Sequence, residues 1–189
     1  MKSNQIWSLA AATMLALAAF PAAHAQSLAE PVVGVADPDA LFTDKDPKLH
    51  KNKQAAYHIV KELLECNQWK DAGNWLTDKY IQHNPMAASG LKGVIDFFTN
   101  TLKRPATNPC PAKLQKTKVV AVVASGDYVT VVFPREYDVP GKPGMKYTST
   151  WFDMWRFVNG KADEHWDPAT LPAVAAPAPA AAPAKPAAK

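Results

Sequence analysis

WFDMWRFVNGKADEHWD, residues 151–167, predicts a β-hairpin. A strand over residues 147–158 leads into it, and a second strand follows over residues 161–167. Asn159-Gly160 between them is the preferred pair for a two-residue hairpin turn. The first strand carries Asp153 among aromatic residues and the second carries His165, so the pairing of the strands decides whether these two groups share a face of the sheet.

Two pairings of the hairpin are open. In a type I′ turn at 159–160, Asp153 pairs with Trp166 and His165 points to the opposite face, because side chains alternate along a strand. In a type I turn at 158–159 followed by a left-handed bulge at Gly160, Asp153 pairs with His165. Turn chemistry by itself favours the first pairing.

The sequence before the hairpin predicts helices followed by strands. Apolar periodicity indicates helices over 48–66 and 69–76, and a third helix over 89–102 that Ser89 caps. No regular structure is expected around Pro85. Valine-rich segments predict strands over 118–124 and 128–137, the second broken or bulged at Pro134. This order indicates an α+β domain.

The two ends of the 189-residue chain differ from its body. Residues 1–25 have the basic start, apolar run and Ala-His-Ala ending of a signal peptide cleaved after Ala25, which predicts a periplasmic or secreted protein. Residues 26–47 indicate a linker or a loosely packed arm, and the Ala/Pro-rich residues 172–189 indicate a disordered tail. This leaves one domain over 48–171.

The charge of the body excludes some partners. The formal net charge is +4, but Lys2, Lys185 and Lys189 lie in the ends, so the body is nearly neutral. A nucleic-acid partner is therefore not expected. No membrane association is expected after signal cleavage, since no other apolar run is long enough to span a bilayer.

Cys66 and Cys110 are the only cysteines. An oxidising compartment permits a disulfide between them, and two separate buried thiols are the alternative. There is no CxxC pair and no Cys/His cluster, so a redox motif and a structural zinc site are not expected.

The chain resembles the SnoaL-like branch of the NTF2-like superfamily in four motifs. These are YIQHNP at 80–85, DMWRF at 153–157, NGK at 159–161 and EHWD at 164–167. The resemblance implies a cone in which helices pack on a curved antiparallel sheet around a ligand-binding pocket, and it implies a homodimer. It also favours the second pairing of the hairpin, with Asp153 opposite His165.

The resemblance further implies a set of site residues. Asp153 occupies the position of the acid/base in the polyketide cyclases of the family, His165 would orient or protonate it, and His83 would hold a carbonyl oxygen. The expected ligand-binding side chains are those of Tyr80, Trp75, Trp151 and Trp155. No cofactor or metal is implied.

Two functions remain open at this point. One is proton abstraction next to a carbonyl, as in aldol condensation, cyclisation or isomerisation of a small organic molecule. The other is a non-catalytic ligand-binding or interaction module on the same fold. Export, and the lack of a histidine on the strand over 129–134, favour the second.

Overall fold

The computed structural model describes residues 30–172. The predicted signal peptide and nearly all of the predicted tail lie outside these residues. No helix within 30–172 is long and apolar enough to span a membrane.

Helices occupy the first half of the described chain and strands the second, with one strand between the helices. The helical part consists of a short 3₁₀ helix at Asp39–Phe42, α1 at Pro47–His58 with a π-helical continuation at Ile59–Glu65, a 3₁₀ helix at Trp69–Asn74, and α2 at Leu91–Asp96 with a π-helical continuation at Phe97–Thr101. The strands are β1 at Leu76–Gln82, β2 at Ala121–Ser125, β3 at Tyr128–Asp138, β4 at Lys146–Val158 and β5 at Lys161–Trp166.

The five strands form one curved sheet in the order β1-β5-β4-β3-β2. β2 to β5 run antiparallel to their neighbours, while β1 pairs parallel with β5. The α+β prediction is confirmed. β1 was not predicted, because Leu76 to Gln82 shows no simple alternation of apolar and polar residues.

The core lies between α1 and the inner face of the sheet. Asp46 caps α1 by accepting hydrogen bonds from the backbone N–H groups of Lys48 and Leu49, and Pro47 occupies the first turn, where its missing N–H has no helical partner. The core between the two layers consists of buried apolar side chains from both. They include Ala56, Ile59, Val60, Leu63, Val129, Val131, Trp155, Phe157 and Ala162.

The segment predicted as a linker is partly packed onto the body. Phe42 is completely buried and its ring meets that of Tyr57 edge to face. Val35 donates its N–H to the Val119 carbonyl at 2.8 Å. A Cβ atom at Gly34 would lie about 3 Å from Lys118 and Val119, so only glycine fits this close approach. These contacts make the described part of the segment an arm on the body and not a free linker.

Two local predictions were also wrong. Pro134 does not break β3, which pairs in unbroken register from Tyr128 to Asp138. β2 begins at Ala121, opposite Val132, so Pro134 lies beyond the paired part of β2, where the missing N–H costs little. Ser89 does not cap a helix, because its hydroxyl accepts the Gln82 N–H at 3.0 Å and Gly90 precedes α2 instead.

A disulfide joins Cys66 to Cys110, with 5.7 Å between their Cα atoms. It connects the end of the α1 helix to the segment that follows α2, and Thr107 donates its N–H to the Cys66 carbonyl at 2.7 Å. The neighbouring Glu65 carboxylate accepts the backbone N–H groups of residues 115–117. Burial raises the pKa of Glu65, but these hydrogen bonds outweigh it and leave the pKa below its ordinary value.

Candidate functional site

A cavity of about 700 Å³ lies between the inner face of the sheet and the helices. This volume is typical of a site for a small organic molecule. Most of its wall is apolar and aromatic. The apolar part of the lining includes Ile59, Leu64, Trp69, Leu76, Met86, Phe97, Phe98, Leu102, Trp151 and Trp155.

Asp153 and His165 lie together on the cavity wall. Asp153 Oδ1 is 3.4 Å from His165 Nε2, and it accepts a hydrogen bond of 2.9 Å from Trp151 Nε1. Asp153 is only 8% exposed and His165 only 7%. A carboxylate and an imidazole so far removed from bulk water are able to exchange a proton with each other or with a bound molecule.

The hairpin brings them together in a way that neither predicted pairing described. Asn159 and Gly160 both have positive φ, +53° and +86°, which is the type I′ turn rather than the expected type I turn with a bulge. Val158 therefore pairs with Lys161, but the register then shifts and Trp155 pairs with His165. Asp153 lies two residues before Trp155 on the same strand, so its side chain is on the inner face with His165. Asp153 is therefore the diagonal cross-strand neighbour of His165.

The register shift is a β-bulge at Asp163, and polar contacts hold it in place. Thr77 donates its hydroxyl to Asp163 at 2.7 Å, and Arg156 makes a short ion pair with the same carboxylate. The Thr77 hydrogen bond is the main reason why the pKa of Asp163 lies below its ordinary value, and Arg156 contributes to the shift. The extra residue restores the inward orientation of His165 that the type I′ turn would otherwise reverse.

Gln82 contacts one nitrogen of the His165 ring. Its side-chain oxygen lies 2.6 Å from His165 Nδ1, and an amide oxygen can only accept a hydrogen bond. This contact suits the tautomer with hydrogen on Nδ1, and Nε2 faces Asp153.

Tyr80 adds a hydrogen-bond donor to the same wall. Its oxygen accepts the indole N–H of Trp155 at 3.1 Å, which leaves the phenolic hydrogen available to a ligand. The residue is 4% exposed. Burial raises the pKa of Tyr80, and the charges of Asp153 and Asp167 raise it further. The hydroxyl therefore stays protonated well above neutral pH.

Asp167 completes a cluster of three possible metal ligands. Asn84 Nδ2 and the Ala169 N–H donate to its two oxygens, at 2.8 and 2.9 Å. Donor atoms of Asp153, His165 and Asp167 lie within 4.8 Å of one another. Two carboxylates and an imidazole whose other nitrogen is already hydrogen-bonded could hold a divalent cation.

Of the predicted site residues, Tyr80, Trp151, Trp155, Asp153 and His165 line the cavity. His83 and Trp75 do not. The His83 ring stacks on Trp166 at 4.9 Å and its Nε2 lies 2.9 Å from Glu164, so it occupies the outer face of the sheet. Trp75 stacks on His58 and donates its indole N–H to Glu62 at 2.7 Å.

Gln82 and Asn84 were not predicted as site residues, and Asp167 had no predicted role. The first two could have been found only by recognising residues 76–82 as a strand. If residues 76–82 are taken as a strand, Tyr80, Gln82 and Asn84 fall on one face and His83 falls on the other. Arg104 and Arg135, which also line the cavity, had no such signal, because they come from segments that are distant in the sequence.

Comparison with known proteins places the chain in a family. The sequence profile of the SnoaL-like domain matches residues 60–165, more than half of the chain. No curated protein matches the sequence.

Several solved structures resemble the chain at low sequence identity. A proposed polyketide cyclase from Acidithiobacillus ferrooxidans is 18% identical, with 62% of this chain and 86% of that chain covered and a TM-score of 0.45. A proposed SnoaL-like polyketide cyclase from Jannaschia sp. is 16% identical, with 67% and 91% covered and a TM-score of 0.46. An LEH-like epoxide hydrolase from M. tuberculosis is 11% identical, with 62% and 80% covered and a TM-score of 0.43. Because the profile covers more than half of the chain, from the helix after α1 through nearly all of β5, the chain belongs to the SnoaL-like family of the NTF2-like superfamily.

Proposed function

We propose that this protein catalyses proton transfer at a carbon next to a carbonyl group of a small organic molecule. The observation that carries the proposal is the buried Asp153–His165 pair, with its 3.4 Å separation, on the wall of a largely apolar cavity. A general base needs such a place, where it touches the substrate and water does not compete for the proton.

In the proposed step, an Asp153 oxygen takes the proton from the carbon. The electron pair of the C–H bond forms a C=C bond, and the carbonyl oxygen becomes an enolate oxygen. Tyr80 stabilises that negative charge by donating its hydroxyl hydrogen bond. This role replaces the one predicted for His83.

His165 accepts the proton from Asp153 in the next step. Its Nε2 faces Asp153 and can accept the proton from the carboxyl group, while Gln82 holds Nδ1–H and keeps the ring in the required tautomer. In a substrate whose enolate is conjugated with a C=C bond, return of the proton to the far carbon of that bond gives isomerisation. In a substrate with a second carbonyl, attack of the enolate carbon forms a C–C bond and breaks the C=O π bond, and the resulting alkoxide takes the proton from His165, which gives aldol cyclisation.

The experiment is deuterium exchange of 2-tetralone in D₂O, followed by proton NMR. The wild-type protein should accelerate loss of the α-hydrogen signal, and Asp153→Asn should lower that rate by about 100-fold or more, because an amide cannot take up the proton. Asp71→Asn changes an exposed carboxylate outside the cavity and should have no effect.

Two results contradict the proposal. One is exchange that Asp153→Asn leaves unchanged, and the other is a wild-type protein that binds 2-tetralone without accelerating exchange. The second result would favour the non-catalytic ligand-binding module.

We also propose that the protein is exported from the cytoplasm. The Cys66–Cys110 disulfide supports an oxidising compartment, the periplasm or the exterior, because such bonds are rare in the reducing cytoplasm. The exported protein should begin at Gln26 when its N-terminus is determined by mass spectrometry. A retained Met1 in the exported fraction would contradict cleavage after Ala25.

A further inference from the structure

Two arginines line the cavity and form no ion pair with another described residue. Arg135 lies on β3, and its guanidinium carbon is 3.7 Å from the centre of the Trp151 ring. Arg104 follows the helix that begins with α2. Both are exposed and both border the cavity.

The third arginine of the chain, in contrast, forms ion pairs within the fold. Arg156 is bound by the carboxylates of Asp163 and Glu164 on the outer face of the sheet. Neither Arg104 nor Arg135 forms an ion pair within residues 30–172. The carboxylates on the cavity wall are engaged elsewhere, Asp153 with Trp151 and His165 and Asp167 with Asn84.

The fold positions the Arg135 side chain and the backbone at Arg104. Arg135 lies in the paired part of β3, opposite Ser149, and its guanidinium stacks on Trp151. The Arg104 N–H bonds to the Phe98 carbonyl at 3.3 Å, and the hydrogen bond of Thr107 to Cys66 anchors the same segment. Two guanidinium groups that border one cavity can both donate to an anion, because each presents a planar set of donors to its oxygens.

We propose that Arg104 and Arg135 bind the anionic group of the ligand. The ligand is then an amphiphilic anion, carrying a carboxylate or a phosphate monoester. Its apolar body lies against the aromatic wall, and its carbonyl group is directed to Tyr80 and Asp153. The position of the carbonyl rests on the proposed function, whereas the anion site does not.

Binding of decanoate, decyl phosphate and decanamide, measured by calorimetry, tests the anion site. The three share a ten-carbon chain and differ in the charge of the head group. The wild-type protein should bind at least one anion about 10- to 100-fold more tightly than the amide, the range expected for charge-assisted hydrogen bonds. The anion that binds more tightly identifies the head group.

The double variant Arg104→Gln/Arg135→Gln should lose this preference while its affinity for decanamide stays the same. Lys103→Gln is the matched control, because it removes the same charge from the neighbouring position outside the cavity lining, and it should keep the preference. Circular dichroism verifies that each variant is folded.

The anion site is overturned if decanamide binds as tightly as both anions, or if the double variant keeps the preference. These results are independent of proton transfer, because the assay measures binding alone and every protein in it retains Asp153. Loss of deuterium exchange in Asp153→Asn, together with an anion preference in the wild-type protein that Arg104→Gln/Arg135→Gln abolishes, would support both proposals.

Discussion

His165 uses its two ring nitrogens for different purposes. Nδ1 is fixed by Gln82 at 2.6 Å and Nε2 faces Asp153 at 3.4 Å. In the proposed mechanism, a residue outside the Asp153–His165 pair therefore sets the tautomer of His165. The same arrangement explains why Gln82, a residue without acid–base chemistry, belongs to the site.

Tyr80→Phe tests the donor that replaces His83 in the mechanism. The change keeps the ring and removes only the hydroxyl, so deuterium exchange of 2-tetralone should fall about 100-fold, as expected when one oxyanion donor is lost. The KM should change little, because the hydrogen bond strengthens only as charge develops on the carbonyl oxygen.

The pH dependence of Tyr80 gives a second readout. Burial raises its pKa, and the hydroxyl is a donor only while protonated, so the wild-type rate should not fall through the range in which a free tyrosine ionises, near pH 10. If the wild-type rate falls near pH 10 and the rate of Tyr80→Phe does not, Tyr80 ionises there and its pKa is not raised by burial. A variant as active as the wild type would remove Tyr80 from the mechanism.

At the scale of single residues, the sequence was sufficient to predict which side chains of one strand lie on the same face of the sheet. Asp153, Trp151 and Trp155 share one face of a long strand, and alternation alone places them together. His83 and Trp75 were misplaced because their orientation depends on β1, which lacks a clear pattern. Arg104 and Arg135 depend on how distant segments pack, and no local signal contains that information.

At the scale of elements, the β5 bulge determines the geometry of the site. Asn159-Gly160 gave the turn that its chemistry favours, yet His165 still faces inward, because Asp163 adds one residue to β5. Turn type was predictable from two residues. The bulge was not, because its partners Thr77 and Lys79 lie on a different strand, more than 80 residues earlier.

Asp163→Asn tests the bulge. The amide keeps the shape but loses the charge that Arg156 and Lys79 face, so the free energy of unfolding at pH 7 should fall by about 1 to 3 kcal/mol in urea titrations. A weakened bulge should also leave a smaller fraction of molecules with His165 facing Asp153. The deuterium-exchange rate should therefore fall as well.

The effect of Asp163→Asn should depend on pH. Because the folded-state pKa of Asp163 is lowered, its stabilisation is present above the unfolded-state pKa of about 4. It is lost as the pH falls through the lower folded-state value. The difference in unfolding free energy between wild type and variant should therefore shrink below pH 4. A difference that stays constant from pH 7 to pH 3 would mean that the charge of Asp163 does not support the bulge.

At the scale of the whole molecule, the disulfide links the core to the cavity. The chain between Cys66 and Cys110 contains β1 and α2, which supply much of the cavity wall, and it ends with the segment that carries Arg104. The sequence predicted that a disulfide was permitted but left two separate thiols as the alternative. The choice depended on the distance between residues 44 positions apart, which only the packed fold determines.

Cys66→Ser/Cys110→Ser should therefore affect both stability and ligand selectivity. Opening a loop of 44 residues should lower the free energy of unfolding by about 4 kcal/mol on the chain-entropy account. The preference for decanoate or decyl phosphate over decanamide should weaken as well, because Arg104 would be held by fewer contacts. Dithiothreitol should reproduce both effects in the wild-type protein and change nothing in the variant, which separates loss of the bond from the serine substitutions. If stability falls while the preference remains, the hydrogen bonds of Arg104 and Thr107 are sufficient to hold the anion site, and the disulfide stabilises the fold without shaping the cavity.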